Sequence, residues 1–273
     1  MKRPLAVLAV NGALVAIATL TLVPFLWMVS ASLMPTGEAS QIPPRFLPSQ
    51  VTFEHYRLLL TRLDLGRHLG VSLVLASAIT ALGLAFNSMA GYAFGKLPFA
   101  GRERIFQVLL AALVIPAQVA MLPLFLLLKA LGLVNTLAGV VVPGLASVFG
   151  IFLVRQHAQG IPDSILDAAR VDGAGEIRIF RSIALRLLTP ILVTLALFSF
   201  MGAWNDFLWP LVVLTDDRLY TLPVALANLV GEHVQDTELV MAGAVVTVLP
   251  VVLLFVALQR YYVAGLMAGG VKG

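Results

Sequence analysis

A carboxylate, an amide and two indole rings lie close together in an apolar stretch of the sequence. The residues are Trp204, Asn205, Asp206 and Trp209. Aromatic rings suit the C–H faces of a sugar, and amide and carboxylate groups suit its hydroxyls. The same polar groups could instead bond to neighbouring helices, with the tryptophans as packing groups. A pathway for a polar solute and a packing role are therefore both open.

Gln118 is a further polar candidate in apolar surroundings. It lies between Pro116 and Pro123, which predict a kink in a helix at this point. Both a pathway role and a structural role are open for its amide. No Ser/His/Asp set or carboxylate pair indicates hydrolysis. The sequence has no cysteine, and its histidines lack the spacing of metal ligands, so we predict no metal site and interpret His55, His68, His157 and His233 as surface residues.

A nucleotide site would require a phosphate-cradling loop. The segment Gly91-Tyr-Ala-Phe-Gly95-Lys96 is the nearest candidate. It has one residue too few between its glycines and no Ser or Thr after the lysine to hold magnesium. We therefore predict that this chain binds no ATP and has no enzymatic activity of its own, and that this segment ends a span with Lys96 at the inner interface.

The charged segment between residues 155 and 189 has the pattern of helix, glycine break, helix. Pro162 suits a first helical position, and Gly173 and Gly175 supply the stop. Gly173 is expected to have a positive φ or a close backbone approach. In the first helix a charged edge lies beside a face of mostly small side chains, which permits close approach of another surface. The charged edge comprises Asp163, Asp167 and Arg170. The face of mostly small side chains comprises Ile165, Ala168, Ala169 and Asp172. A solvated loop without a partner would show the same charge pattern.

The composition indicates a membrane protein. Of the 273 residues, 60% are hydrophobic and 12% are charged, and the mean hydropathy is +0.97. A sequence pI near 9.7 is not accompanied by a basic stripe with interleaved aromatics, so nucleic-acid binding is not predicted. Runs of roughly 20 apolar residues can cross a bilayer core about 30 Å thick. The predicted spans are residues 5–32, 69–94, 105–128, 136–154, 190–214 and 239–263.

The distribution of Lys and Arg predicts the orientation of these six spans. Basic residues dominate both termini and the segments after the second and fourth spans, which places both termini in the cytoplasm. The start Lys2-Arg3 and the segment Ser30-Ala31-Ser32 would also fit a cleaved signal peptide. The apolar run is nearly twice the roughly 7–15 residues of such peptides, so we predict a retained helix. The outer segment from Pro35 to His68 is predicted to end in a short surface helix near residues 53–65.

The loop resembles the EAA motif of ATP-binding cassette importer permeases: Glu-Ala-Ala, three residues, Gly, nine residues, Ile, one residue, Leu-Pro. Six residues match at full spacing: Asp167, Ala168, Ala169, Gly173, Ile183 and Leu185. Asp167 replaces the usual Glu, and Arg186 replaces the usual Pro. The resemblance covers nearly the whole chain and is closest to carbohydrate-importer permeases of the maltose and glycerol-phosphate type. It includes the segments Pro24–Leu33, Ala90–Phe94, Asp172–Ala174, Trp204–Pro210, Thr221–Pro223 and Gln259–Tyr262 and the Gly270–Gly273 end.

This resemblance implies a fold and a function. The expected fold is an all-α integral membrane protein of the inner membrane, one permease domain over residues 1–273 with a cytoplasmic coupling loop at 155–189. Within the loop, Asp172 joins the motif residues as an expected contact for the ATPase. The expected partners are a second homologous permease, an ATPase dimer that carries ATP and magnesium, and an external substrate-binding protein. The expected substrate is a sugar, a polyol or a sugar phosphate. An ion-coupled carrier acting through Asp206 and a membrane enzyme remain as alternatives.

Overall fold

The computed structural model describes residues 2–43, 45–232 and 236–270, and their regular structure is entirely helical. Two short 3₁₀ turns, Val142–Gly144 and Asp217–Leu219, accompany the helices. The helices are α1 (Lys2–Ala31), α2 (Glu54–Thr61), α3 (Leu65–Lys96), α4 (Arg102–Ala112), α5 (Ala117–Ala130), α6 (Leu137–Val141), α7 (Val148–Gln159), α8 (Asp163–Val171), α9 (Glu176–Trp204), α10 (Leu208–Val213), α11 (Leu222–Glu232) and α12 (Thr237–Gly270).

The prediction of an all-helical membrane protein is confirmed. In the described residues, five helical stretches are long and apolar enough to cross a bilayer. They are Val10–Ala31, Leu65–Lys96, Leu137–Gln159, Glu176–Trp204 and Thr237–Ala257. The predicted third span is instead a bent pair, α4 and α5, whose axes differ by 104°. The predicted kink is confirmed at Pro116, which lies at the start of α5, because its ring cannot continue the preceding helix.

The fifth span differs from its predicted position. It was expected at residues 190–214, but α9 begins at Glu176 and ends at Trp204. The first turns of α9 are polar. They continue through a π-helical turn at Phe180–Ala184 into the apolar part of the same helix. The chain then breaks over residues 205–207 before the short helix α10. The predicted span 190–214 placed Asn205 and Asp206 within a membrane helix, and this is wrong, because they lie in the break.

The chain forms two compact units, of which one comprises His68–Thr221 and Leu253–Gly273. In this unit α3 and α7 cross at very short distance. A Cβ atom added to Gly91 would lie 2.5 Å from the Cβ atom of Val154, and one added to Gly95 would lie 2.9 Å from that of Ala158. Gly91 and Gly95 therefore form a helix-packing motif of the small-xxx-small type, which membrane helices use to bring backbones together.

A buried cluster surrounds this crossing and extends to α8 and α9. Its members are Tyr92, Val154, Ala158, Ile161, Leu166, Ile179, Ala184, Leu188, Ile191 and Leu195. Asn87, which is 1% exposed, adds a polar contact, since its Oδ1 accepts the backbone N–H of Ser147 at 2.9 Å near the start of α7. Asn87 is therefore a helix-packing group.

The other unit comprises Met1–Arg67 and Leu222–Val252. Its loop after α1 is fixed by buried carboxylates: Glu238 accepts the N–H of Ala39 at 2.6 Å, and Glu38 accepts the N–H of Ser49 at 3.0 Å. The short helix predicted near residues 53–65 is confirmed as α2. The interpretation of His55 as a surface residue is wrong. It is 3% exposed, and its Nε2 donates to the carbonyl of Met34 at 2.9 Å because the loop folds back over α2.

The remaining histidines have different surroundings. His157 is exposed, as predicted. His68 is half-buried and donates from Nδ1 to the carbonyl of Tyr220 at 3.0 Å. His233 lies outside the described residues. Among the residues that the structure describes, no group of three or more His, Asp or Glu could hold a metal ion.

Candidate functional site

The predicted coupling loop is a short helix with defined ends. Helix α8 begins at Asp163, directly after Pro162, one residue later than expected. It ends with Gly173 at φ +81°, which confirms the expected left-handed conformation. The N–H of Gly173 donates to the carbonyl of Arg170 at 3.0 Å, and that of Ala174 to Ala169 at 2.9 Å. These two bonds form a Schellman motif, which satisfies the last carbonyls of the helix.

One arginine ties α8 to the start of α9. The guanidinium of Arg170 donates to Asp167 Oδ1 and to Glu176 Oε1, both at 2.7 Å. The bonds to Glu176 and then to Asp167 raise the pKa of Arg170. The glycine turn between the helices is thus bridged by an ion-pair network as well as by backbone bonds. Solvent screens exposed ion pairs and leaves them with little net effect on stability, so the main effect of this network is on the geometry of the loop.

The loop is also fixed to the end of α3. The side chain of Lys96 is almost fully covered, and its Nζ donates to the carbonyl of Ile161 at 2.6 Å and to Asp163 Oδ1 at 2.7 Å. Hydrogen bonding with Lys96, followed by its charge, lowers the pKa of Asp163 below the ordinary value of 3.8. The sequence placed Lys96 at the inner interface, and the structure adds that it holds the start of α8.

This ion pair predicts a pH-dependent contribution to stability. Because the pKa of Asp163 is lowered by folding, its contribution is present above pH 3.8 and is lost as the pH falls through the folded-state value. We expect Asp163→Asn to lower the apparent melting temperature at pH 7 but not near the acid limit. Thermal unfolding in detergent over this range measures the difference. If Asp163→Asn lowers the melting temperature as much in a Lys96→Met background as in the unmodified chain, the two residues are not coupled. That result would contradict the pairing.

The two faces of α8 have different surroundings. Leu166 is 1% exposed within the buried cluster, and Ala169 packs against that cluster. Asp167, Ala168, Asp172 and Gly173 are exposed at the outer side and C-terminal end of α8, so four predicted contact residues are accessible. Ile183 and Leu185 do not belong to this surface. They are partly buried on α9, where Ile183 packs against the buried cluster.

Three exposed apolar side chains accompany that surface. Ile165 is 41% exposed, Val171 88% and Ile177 74%. Exposed apolar side chains surrounded by a rim of polar or charged residues are typical of protein interfaces. The sequence interpretation assigned Ile165 to the small-residue face, and it did not single out Val171. We name the exposed set Ile165, Asp167, Ala168, Val171, Asp172, Gly173 and Ile177 the docking surface.

A second site lies around the break after α9. A cavity of about 450 Å³ is lined by Gln118, Asp206 and Trp209, together with apolar and small residues from α3, α5, α6, α9 and α10. We name it the Asp206 cavity. Its volume lies in the range of about 300–1,000 Å³ that is usual for small-molecule pockets. Three of the five predicted pathway candidates therefore meet in one cavity.

Hydrogen bonds fix Asp206 and Trp209 in this cavity. Asp206 Oδ1 accepts the backbone N–H of Trp209 at 3.3 Å, and Trp209 Nε1 donates to the carbonyl of Gly139 at 3.2 Å. The N–H edge of the Trp209 indole is thus held in place by the backbone of Gly139. Gly139 has no room for a side chain, since an added Cβ would lie 2.3 Å from the carbonyl oxygen of Leu133. The sequence interpretation missed Gly139, because a glycine in an apolar run gives no sign of what approaches it.

The other two candidates lie apart from the cavity lining. Trp204 is 1% exposed and stacks on Phe200, with ring centroids 5.8 Å apart. Asn205 is exposed and donates from Nδ2 to the carbonyl of Met201 at 2.8 Å, at the end of α9. Their contacts favour the packing and capping interpretation for these two residues.

Asn135 is a structural residue that the sequence interpretation missed. It has φ +58°, a conformation that Asn tolerates better than other non-glycine residues. Its Oδ1 accepts the N–H groups of Thr215 and Asp216, both at 2.9 Å, and its own N–H donates to Val213. Asn135 thereby connects the segment before α6 to the segment after α10. Its position in a turn between Val134 and Thr136 was the available signal.

Comparison with known proteins gives consistent matches. Residues 87–267 match the family described as binding-protein-dependent transport system inner membrane component. The chain is 40% identical over 260 residues to the arabinooligosaccharides transport system permease protein AraQ of Halalkalibacterium halodurans, which covers 94% of this chain and 93% of that one. It is 33% identical over 260 residues to the trehalose transport system permease protein SugB of Mycobacterium tuberculosis. This match covers 92% of this chain and 93% of that one.

A solved structure has the same fold. It is a crystal structure of a bacterial ABC transporter involved in the import of the acidic polysaccharide alginate. The TM-score is 0.82 at 25% sequence identity, and the match covers 93% of this chain and 95% of that one. The fold and the order of helices described above are therefore those of a known transporter subunit.

Proposed function

Because the chain belongs to the family of inner-membrane components of binding-protein-dependent transport systems, we propose that its docking surface receives the ATPase and that its Asp206 cavity is part of the substrate pathway. The chain is a permease subunit of an ATP-binding cassette importer of sugars or oligosaccharides, a multi-pass protein of the inner membrane. It is not itself an ATPase, and the family has ATPase and binding-protein partners. Neither the carrier nor the enzyme alternative is retained.

The observation that carries the proposal is the construction of α8. Its inner face is fixed to the bundle by Leu166 and by the Lys96–Asp163 pair, while Val171 at its end and Ile177 in the first turn of α9 are exposed. A rigid element with an exposed apolar surface can receive force from a partner and pass it on. A mobile loop with the same residues would absorb the movement instead.

The same unit contains a direct connection from this surface to the cavity. Helix α9 starts at Glu176, beside the docking surface, and runs for 29 residues to Trp204. At about 1.5 Å per residue this helix is about 43 Å long, which is enough to cross a membrane. The break that contains Asp206 follows directly. We propose that movement of α8 shifts α9 along with it and so changes the shape of the Asp206 cavity.

The second permease belongs to the proposal as well. The outer surfaces of α4 and α5 expose apolar side chains, including Val108 at 71%, Val119 at 66% and Leu122 at 67%. Such surfaces are covered by lipid or by another membrane subunit. We propose that a homologous but different permease completes the pathway, and that this chain forms one half of it. In its relatives the transported compounds include arabinooligosaccharides and trehalose, and we propose an oligosaccharide of this kind as the substrate.

The cavity residues provide the test of the pathway. We expect Trp209→Ala or Asp206→Ala to reduce uptake, or to uncouple it from ATP hydrolysis, while the complex still assembles. Loss of a stacking ring or of a hydrogen-bond partner for a sugar hydroxyl is expected to cost about 1–3 kcal/mol, or about tenfold in transport efficiency. Substrate uptake and substrate-stimulated hydrolysis in proteoliposomes measure it.

Leu20→Ala supplies the matched control, because this residue is 74% exposed on α1 and does not line the cavity. Its uptake should equal that of the unmodified chain. Unchanged kinetics in both Trp209→Ala and Asp206→Ala would assign these residues to packing and remove the cavity from the pathway.

A further inference from the structure

The Asp206 cavity has an unusual charge balance. Asp206 is the one ionisable side chain among its lining residues, and no Lys, Arg or His belongs to that lining, all of which the structure describes. The carboxyl group bonds to the backbone N–H of Trp209 rather than to a cation. The remaining polar side chain is the neutral amide of Gln118. A ligand in this cavity therefore meets a carboxyl group with no positive charge beside it.

Both protonation states of Asp206 disfavour an anionic ligand. If the carboxyl group is ionised, it repels a carboxylate or phosphate of the ligand, and this repulsion is strong where water is displaced. If it is neutral, the cavity still offers no cation to compensate the charge that the ligand brings from water. Neutral hydroxyls avoid both penalties, because a carboxyl group and an amide can each bond to them.

We propose that the Asp206 cavity admits uncharged saccharides and rejects uronates and sugar phosphates, with Asp206 as the residue that sets this selectivity. The inference rests on the proposed function, in which the cavity is part of the sugar pathway. It narrows the expected substrates, which included sugar phosphates, to neutral sugars and oligosaccharides. Selection at this cavity would act after the binding protein has released its ligand.

The substitution Asp206→Asn tests the inference with little change of shape. The asparagine keeps an oxygen that can accept the N–H of Trp209 but removes the ionisable group. Gln118→Glu is the opposite change, since it adds a second carboxyl group to the same lining. The two variants should move the selectivity in opposite directions, which a general loss of structure would not do.

The measurement is equilibrium binding to the purified complex of this chain with its partner permease and ATPase, without the binding protein, at neutral pH. Titration calorimetry compares galactotriose with trigalacturonate, and maltotriose with its 6-phosphate. We expect the unmodified complex to prefer the neutral member of each pair by at least about tenfold, because like charges are costly in a desolvated site. Asp206→Asn should reduce this ratio, because it removes the charge repulsion, but should not abolish it, because it adds no cation. Gln118→Glu should increase the ratio.

The outcomes separate this inference from the proposed function. Equal binding of neutral and anionic probes, or a ratio that Asp206→Asn leaves unchanged, overturns the inference alone. If Trp209→Ala leaves the binding of neutral probes intact, or if no neutral probe binds, the cavity is not in the pathway and both proposals fail.

Discussion

Replacing Gly91 with leucine is expected to prevent the permease from folding. A Cβ atom at this position would lie 2.5 Å from the Cβ atom of Val154 and 3.0 Å from the backbone nitrogen of Arg155. Neither neighbour is the end of a flexible side chain, so α3 and α7 would have to separate. Extra methylenes in a well-packed interior typically cost about 1–3 kcal/mol, and the cost is higher here because the added side chain meets backbone that cannot move aside. Domains have a stability of only about 5–15 kcal/mol.

The separation would also open the cluster that holds α8. Val154 and Ala158 face α3 in the same cluster as Leu166 and Ile179. Arg155, which lies between them, donates to Glu103 at 2.8 Å and to the carbonyl of Phe94 at 3.3 Å. Movement of α7 would break these contacts together. We therefore expect the effect to extend to the docking surface and not to remain at the crossing.

Thermal unfolding and the yield of monodisperse protein in detergent measure this effect. Gly70→Ala is the matched control, because Gly70 lies in the same helix and nothing lies within 4 Å of an added Cβ. Alanine there should be neutral or stabilising by up to about 1 kcal/mol. Gly91→Ala should be destabilising, and Val154→Gly should restore part of the loss. Wild-type stability of Gly91→Leu would show that the helices do not approach as described.

The helical crossing shows what the sequence could and could not predict. Length and hydropathy predicted the long apolar helices other than the bent third span and the displaced fifth span, because a bilayer imposes a minimum length on every span. The segment Gly91–Lys96 was examined only as a failed phosphate loop. Its use in packing depends on Val154 and Ala158, which lie some 60 residues away in the chain. A GxxxG pattern in an apolar helix was the available signal.

The fifth span shows a different limit. Hydropathy favoured residues 190–214, because the polar turns that begin α9 at Glu176 resemble a loop, and two polar residues within an apolar run do not interrupt it. The structure assigns the break to Asn205 and Asp206 and so creates the cavity. The candidates Asp206, Trp209 and Gln118 were selected for their chemistry alone. That they line a common cavity depends on the bend before α5 and on Gly139, which no local pattern predicts.

Introducing aspartate at the two most exposed apolar positions of the docking surface is expected to release the ATPase from the complex. In the double variant Val171→Asp, Ile177→Asp, two charged groups would be buried without partners when the ATPase docks. Burial of an unpaired charge is among the largest costs at an interface, and a loss of only about 2.8 kcal/mol lowers affinity about a hundredfold. Both side chains are more than 70% exposed in this chain, so its own fold should tolerate the change.

These positions are more informative than the charged residues beside them. Asp167 is paired with Arg170, which also bonds to Glu176, so a substitution at Asp167 would disturb the loop itself. Val51→Asp is a control of the same chemistry. Val51 is 62% exposed in the segment before α2, which is predicted to lie on the outer side of the membrane.

The most direct measurement is the amount of ATPase subunit that remains bound to this permease after affinity purification in detergent, at equal permease level and equal melting temperature. The unmodified chain and Val51→Asp should retain the ATPase in the same ratio. The double variant Val171→Asp, Ile177→Asp should retain less than about a tenth of it, in line with the expected loss of affinity. Equal retention in the double variant, with hydrolysis still coupled to uptake, would contradict the assignment of the docking surface.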